Sequence, residues 1–274
     1  MIDLLCLLEF YNTYSHDDIY YEIAGKMIQD FDLIRDMGAQ ELADYMFISS
    51  STLYRFIKIM CYDSHKEMKR LQQIFLEGYT GNGRYFPKEA YGLDNLKRQG
   101  DYLCHSIQKL VSTIEEQSLA EIEAAILQVE QIIFVGIPMP SIIWRLQVEL
   151  TLLGKKTSAF LNPQYQIDEI VASTGNALVF IIHNTIEEAP FYQEALEKAK
   201  KNQIPVAVIS SLPISPLLSQ ADYCICFEGD MSENDMLLFT FLLHSLGERL
   251  YQKVLQQRHK NLKKGQGIGS QVHC

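Results

Sequence analysis

The chain has 274 residues, is 47% hydrophobic and 21% charged, and carries a net charge of −10 with a pI near 5.2. So much apolar content supports a sizeable core and excludes global disorder. The acidity excludes a chain that coats nucleic acid or anionic membrane without specificity, but salt screens charges beyond about 8–10 Å, so a local basic face stays compatible with it.

The length suits one large domain or two ordinary ones. No segment reaches the roughly 18 uninterrupted apolar residues that span a bilayer, so no membrane partner is expected. The opening MIDLLCLLEFYNTYSHDD lacks a basic leader and carries Asp3 and Glu9, a poor signal peptide; the expected location is cytoplasmic. The six cysteines, at 6, 61, 104, 224, 226 and 274, form neither a CxxC pair nor a His-Cys zinc pattern. No metal and no cofactor is expected. Cys224 and Cys226 alternate in an apolar run and are expected as buried free thiols on one strand face.

In chain order, residues 1–77 read as short helices. Leu4, Leu7, Leu8 and Tyr11, then Ile19, Ile23 and Met27, then Leu42 and Tyr45 recur at helical spacing without β-branched runs. Residues 40–45 form one short helix, with Leu42 and Ala43 inward. After Met46-Phe47-Ile48 comes SSSTLYRFIK at 49–58. With Ser49 as N-cap, Ile48 and Leu53 take the positions of a hydrophobic staple. Leu53, Phe56, Ile57 and Met60 then form the buried stripe, and Thr52, Tyr54, Arg55 and Lys58 lie away from it.

A short helix, a tight turn and a second helix opened by small polar residues describe a helix-turn-helix. The first turn of such a second helix meets DNA in the major groove. Small hydroxyls and free N–H groups bond phosphate there, and Arg or Lys reaches phosphates or guanine edges. Residues 49–75 hold five basic against two acidic side chains, while residues 1–48 hold ten acidic against two basic, so the basic face is local. Candidate DNA contacts are Ser49, Ser50, Ser51, Thr52, Tyr54, Arg55 and Lys58. One departure concerns Phe47, which stands where such turns use glycine; a bulky residue there costs about 1 kcal/mol or more if φ is positive.

Residues 78–93, rich in Gly, Asn and Pro, form the expected linker. Helices are expected at 94–114 and 118–130, the second capped by Ser118 with Glu121 in a capping box. Apolar runs at 131–136, 177–184, 205–211 and 221–229 then alternate with helical patterns at 142–153, 191–202 and 232–257. Such alternation predicts βαβ units and a parallel sheet over 94–257, with ligands at the strand carboxyl ends. The stretch 258–274 is expected as a basic flexible tail.

The segment ELADYMFISSSTLYRFIKIMCYDSHKEMK (41–69) resembles the RpiR family of bacterial transcriptional regulators at Glu41, Leu42, Ala43, Ser49, Thr52, Arg55, Phe56 and Lys58. Met60-Cys61-Tyr62 stands at the family's Leu-Gly-Phe, and Met68-Lys69 at its Phe-Lys. The second half is similar to the family's SIS (sugar isomerase-like) α/β domain, ISPLLSQADYCICF (214–227) matching its S-P-L-A-x-x-A-D segment. The resemblance implies an operator-binding helix-turn-helix domain joined to an SIS domain. That domain would serve dimerisation, giving a homodimer or dimer of dimers, and would sense a phosphosugar or other small anion. It points to carbohydrate-metabolism genes.

The family's first strand ends G-x-G-x-S and its second S-x-S-G-x-T, patterns in which N–H and hydroxyl donors converge on phosphate. Here the first site reads Gly136-Ile137-Pro138-Met139-Pro140-Ser141, and its two prolines remove two donors. The second reads Ile182-His183-Asn184-Thr185-Ile186-Glu187, without glycine and with an acid that repels phosphate. A degenerate pocket is expected, with Ser141, His183, Asn184, Thr185 and Glu187 as candidate effector contacts. A sugar-phosphate isomerase or a non-catalytic sugar-phosphate-binding protein is the alternative. Glu187, Glu188, Glu233 and His244 are available as bases, but none falls in a spacing that demands catalysis, so a non-enzyme is expected. An interaction protein that binds neither operator nor sugar is a third reading.

Overall fold

The structure is a computed structural model that describes residues 4–13, 18–60, 62–80, 93–137, 139–183, 189–229 and 234–267. It divides into two compact units, Met1–Pro87 with Phe160–Asp168, and Lys88–Ala159 with Glu169–Cys274.

The first unit is helical: α1 (Leu4–Thr13), α2 (Ile19–Gln29), α3 (Phe31–Ile34), α4 (Ala39–Tyr45), α5 (Ser50–Ile59) and α6 (His65–Thr80). Asp18 caps α2, its carboxylate accepting from the Tyr20 N–H at 2.8 Å. Each helix turns its apolar stripe to one core built on Leu7, Ile23, Met27, Leu42, Leu53 and Phe56. The Phe10 and Phe56 rings meet edge to face at 5.6 Å. Helix α6 runs three residues into the stretch expected as linker; residues 81–92 lie outside the described residues.

The second unit opens with α7 (Leu93–Thr113) and α8 (Glu116–Gln128). Then follow β1 (Gln131–Gly136), α9 (Ile142–Leu152), β2 (Lys156–Ser158), α10 (Pro163–Ala172), β3 (Ala177–His183), α11 (Ala189–Lys201), β4 (Val206–Ser210), β5 (Tyr223–Cys226) and α12 (Asn234–Gly267). The boundary between the units falls inside α10. All strand pairs are parallel, in the order β2-β1-β3-β4-β5. Strand β3 is buried at all seven positions and β4 at all five, which requires cover on both faces. Helix α11 packs on β1, β3 and β4, while α12 packs on α7, α8 and α9.

Several local expectations need correction. Helix α8 starts from an extended Glu115, so Ser118 lies within the helix, and Glu121 accepts instead from the Gln117 amide at 2.7 Å. Strand β2 is a three-residue edge with no apolar run to mark it. Helix α10 carries the signature of Asn162 before Pro163, and the Asn162 side chain accepts from the Gln164 N–H at 2.9 Å. Helix α12 continues as far as Gly267. Cys224 is exposed and Cys226 half-buried, because β5 is an edge strand; both thiols are free.

Charge ties α8 to α12. Glu123 is fully buried and is held by Arg249 and Lys253. Arg249 also reaches Glu116 at 2.5 Å, and that contact holds the Glu116 carboxyl below the usual carboxylate range. A buried carboxylate that loses its partner keeps its full desolvation cost. Replacing Arg249 with Met is therefore expected to lower the unfolding free energy by about 2–4 kcal/mol. Urea unfolding followed by circular dichroism checks it; a loss under about 0.5 kcal/mol would show that Lys253 alone neutralises Glu123.

Candidate functional site

Two surfaces gather the candidate residues, one in each unit. In the helical unit, α4 and α5 are joined by Met46, Phe47, Ile48 and Ser49. Ser49 is extended, at φ −73° and ψ 149°, and its Oγ accepts from the Thr52 N–H at 3.1 Å. Leu53, Phe56, Ile57 and Met60 are all buried. That stripe fixes the roll of α5 about its axis and leaves Ser50, Ser51, Tyr54, Arg55 and Lys58 on the solvent side.

The hydroxyls are less free than their sequence implies. Ser49 Oγ lies 2.8 Å from both Ser51 Oγ and Thr52 Oγ1, and Ser50 Oγ donates to Gln40 Oε1 at 2.8 Å. Lys58 donates to the Asp63 carbonyl at 2.8 Å and stands 5.6 Å from the centre of the Tyr54 ring. Arg55 makes no hydrogen bond or ion pair among the described residues, so its guanidinium is available to a partner. Phe47 has φ +57°, the strained conformation that its place in the turn implied.

In the α/β unit, the order β2-β1-β3-β4-β5 places the topological switch between β1 and β3, where open α/β sheets bind ligands beyond the strand carboxyl ends. Gly136 and His183 end these two strands. The next donor after β1 is already engaged. The Ile137 N–H donates to Tyr192 Oη at 2.9 Å, and Tyr192 donates back to the Ile137 carbonyl at 3.2 Å. Tyr192, from α11, is fully buried, and Ile137, Met139 and Pro140 are buried beside the same turn. Ser141 is exposed at the start of α9 and makes no cap bond through its side chain.

Polar groups concentrate after β3 and β4. The ladder sets His183 beside Ser210, and their side chains lie 3.2 Å apart, both buried. The His183 ring also meets the Tyr192 ring edge to face at 4.8 Å. Ser211 Oγ is buried and makes no hydrogen bond among the described residues. Gly229 has no room for a Cβ, because Asp235 and Ser211 close on it. Asn184, Thr185, Glu187, Glu188 and Glu233 lie outside the described residues, and His244 is exposed on α12. The serine pair ending 205–211 was a visible signal for Ser210 and Ser211, whereas nothing in 191–202 marked Tyr192.

Among the described residues no group of His, Cys, Asp and Glu could hold a metal ion, and no helix is long and apolar enough to cross a membrane.

This arrangement is an α/β domain built on a five-stranded parallel sheet in the order β2-β1-β3-β4-β5. No family model and no curated protein sequence matches the chain. Among solved structures, the NanR protein of Vibrio vulnificus, complexed with ManNAc-6P, is similar at TM-score 0.52 and 18% identity, over 98% of this chain and 99% of that one. A phosphoheptose isomerase from Francisella tularensis is similar at TM-score 0.50 and 12% identity, over 60% of this chain and all of its own. The sugar isomerase domain of an RpiR transcription factor from Sphaerobacter thermophilus aligns at TM-score 0.46 and 15% identity, over 60% of this chain and 98% of that one. At such identities the first two likenesses show the fold.

Replacing Tyr192 with Phe would strand the buried Ile137 N–H. The expected loss is about 1–3 kcal/mol of stability, measured by denaturant unfolding. An unchanged midpoint would mean that water or another group satisfies Ile137 and that the lock is not a structural one.

Proposed function

We propose that the protein is a DNA-binding transcriptional regulator of the RpiR type, cytoplasmic and acting on carbohydrate-metabolism genes. Helices α4 and α5 serve as its helix-turn-helix. The α/β unit serves self-association, as a homodimer or a dimer of dimers, and carries a phosphosugar pocket that has degenerated. The carrying observation is the roll of α5: its apolar stripe is buried to the last residue, which leaves Ser50, Ser51, Tyr54 and Arg55 outward on a helix opened by a capped serine. Such a helix presents free N–H groups, small hydroxyls and a guanidinium together, the donors that phosphates and guanine edges accept. The likeness over nearly the full length of the NanR protein supports this reading at the level of fold.

The turn after β1 supports the reading of a degenerate pocket. A phosphate cradle needs converging backbone N–H groups. Here the Ile137 N–H is bonded to Tyr192, and Pro140 has none. The candidates that remain for a small anion are Ser141, which makes no cap bond at the start of α9, and Ser211, whose buried Oγ makes no hydrogen bond among the described residues; Asn184, Thr185 and Glu187 lie outside the described residues.

A second reading, a sugar-phosphate isomerase or sugar-phosphate-binding protein, has one observation in its favour: the buried His183–Ser210 pair stands at the carboxyl edge of the sheet. Turnover of a sugar phosphate by the purified chain would carry that reading.

The test is DNA binding by the full chain to duplexes selected from a random pool. The logarithm of the affinity is expected to fall linearly with the logarithm of salt concentration. Arg55→Ala is expected to weaken binding roughly five- to thirtyfold, about 1–2 kcal/mol. An affinity unchanged by Arg55→Ala would remove α5 from the contact surface.

A further inference from the structure

Phe47 is badly suited to the place it occupies. At φ +57° a side chain with a Cβ crowds the neighbouring carbonyl oxygen, and glycine would sit there without that penalty. Burial does not compensate, because the residue is 91% exposed. The Lys26 ammonium stands 5.1 Å from the ring centre, but it also lies 4.3 Å from the Tyr45 ring and donates to the Tyr45 carbonyl at 2.8 Å. Lys26 is therefore held in place without Phe47. A strained backbone that carries an exposed aromatic ring points to a use outside the fold.

The surroundings narrow that use. Phe47 lies two residues before the cap of α5, at the end of the helix that carries Ser50 and Ser51. Ser49 and Ser50, which follow it closely in the chain, are polar and exposed, so the ring stands on a surface with polar groups beside it. The major groove offers one apolar feature on its base edges, the C5-methyl group of thymine, and phenylalanine is among the side chains that meet it.

We propose that Phe47 is a specificity residue that packs on a thymine methyl group beside the bases met by α5. This rests on the DNA-binding reading above. Contacts to phosphates position a duplex, and a contact to a base edge such as this methyl group selects the base.

The experiment compares the full-length native chain with Phe47→Gly on a duplex selected by the native chain. Uracil replaces thymine at one position at a time, which removes the methyl group and nothing else. For the native chain, one or two positions are expected to lose roughly three- to tenfold in affinity. Phe47→Gly is expected to bind the all-thymine duplex weaker by a similar factor, to be indifferent to uracil at those positions, and to melt no lower than the native chain. Equal affinity and equal uracil sensitivity in the two proteins would overturn the proposal and leave DNA binding intact. A lower melting temperature for Phe47→Gly would also overturn it, by giving the ring a structural role. If the native chain selects no duplex at all, the DNA-binding reading itself fails.

Discussion

Burial of β3 and β4 along their whole length is the constraint from which the α/β unit follows. A parallel strand with no solvated face must find all its backbone partners in the ladder and all its side-chain partners in helices above and below. The short right-handed crossovers that supply those helices bring every strand carboxyl end to one edge. The sheet positions from Ile132 to Val135, Leu178 to Ile182 and Val206 to Ile209 are apolar and buried, and polar side chains follow at the carboxyl ends of β3 and β4. His183, Ser210 and Ser211 gather there.

At that edge the turn after β1 is tied into the fold. Tyr192 enters from α11 and takes both backbone groups of Ile137, while Met139 and Pro140 are buried alongside. A cradle works by leaving backbone donors convergent and unpaired until an anion arrives. Here the Ile137 donor is paired within the protein. These two hydrogen bonds hold the turn after β1 to α11.

The sheet was legible because short β-branched apolar runs alternate with helical patterns, which together read as βαβ units. The cap and stripe of α5 were legible for a similar reason: Ser49 and the spacing of Leu53, Phe56, Ile57 and Met60 act locally. Strand β2 was not, since a three-residue edge such as Lys156–Ser158 draws its conformation from its neighbour β1. Ser118 misled because a hydroxyl and an acid three residues apart occur inside helices as well as at their starts. Cys224 misled because alternation marks a strand but does not tell an edge from a centre. Tyr192 was invisible, for its role depends on a partner 55 residues away.

In the helical unit the same logic of burial sets the outward face of α5, and function is read from what burial leaves over. Arg55 has no hydrogen-bond or ion-pair partner among the described residues, and the hydroxyls nearby bond one another. The central claim is that this face, and not the edge of the sheet, is where the protein meets its principal partner. Hydrogen–deuterium exchange of the full chain, with and without a selected duplex, tests it directly. The account expects slowed exchange at the amides of 39–59, with no change at 136–141 or 177–183. Slowing confined to the sheet edge, or absent from 39–59, would contradict it.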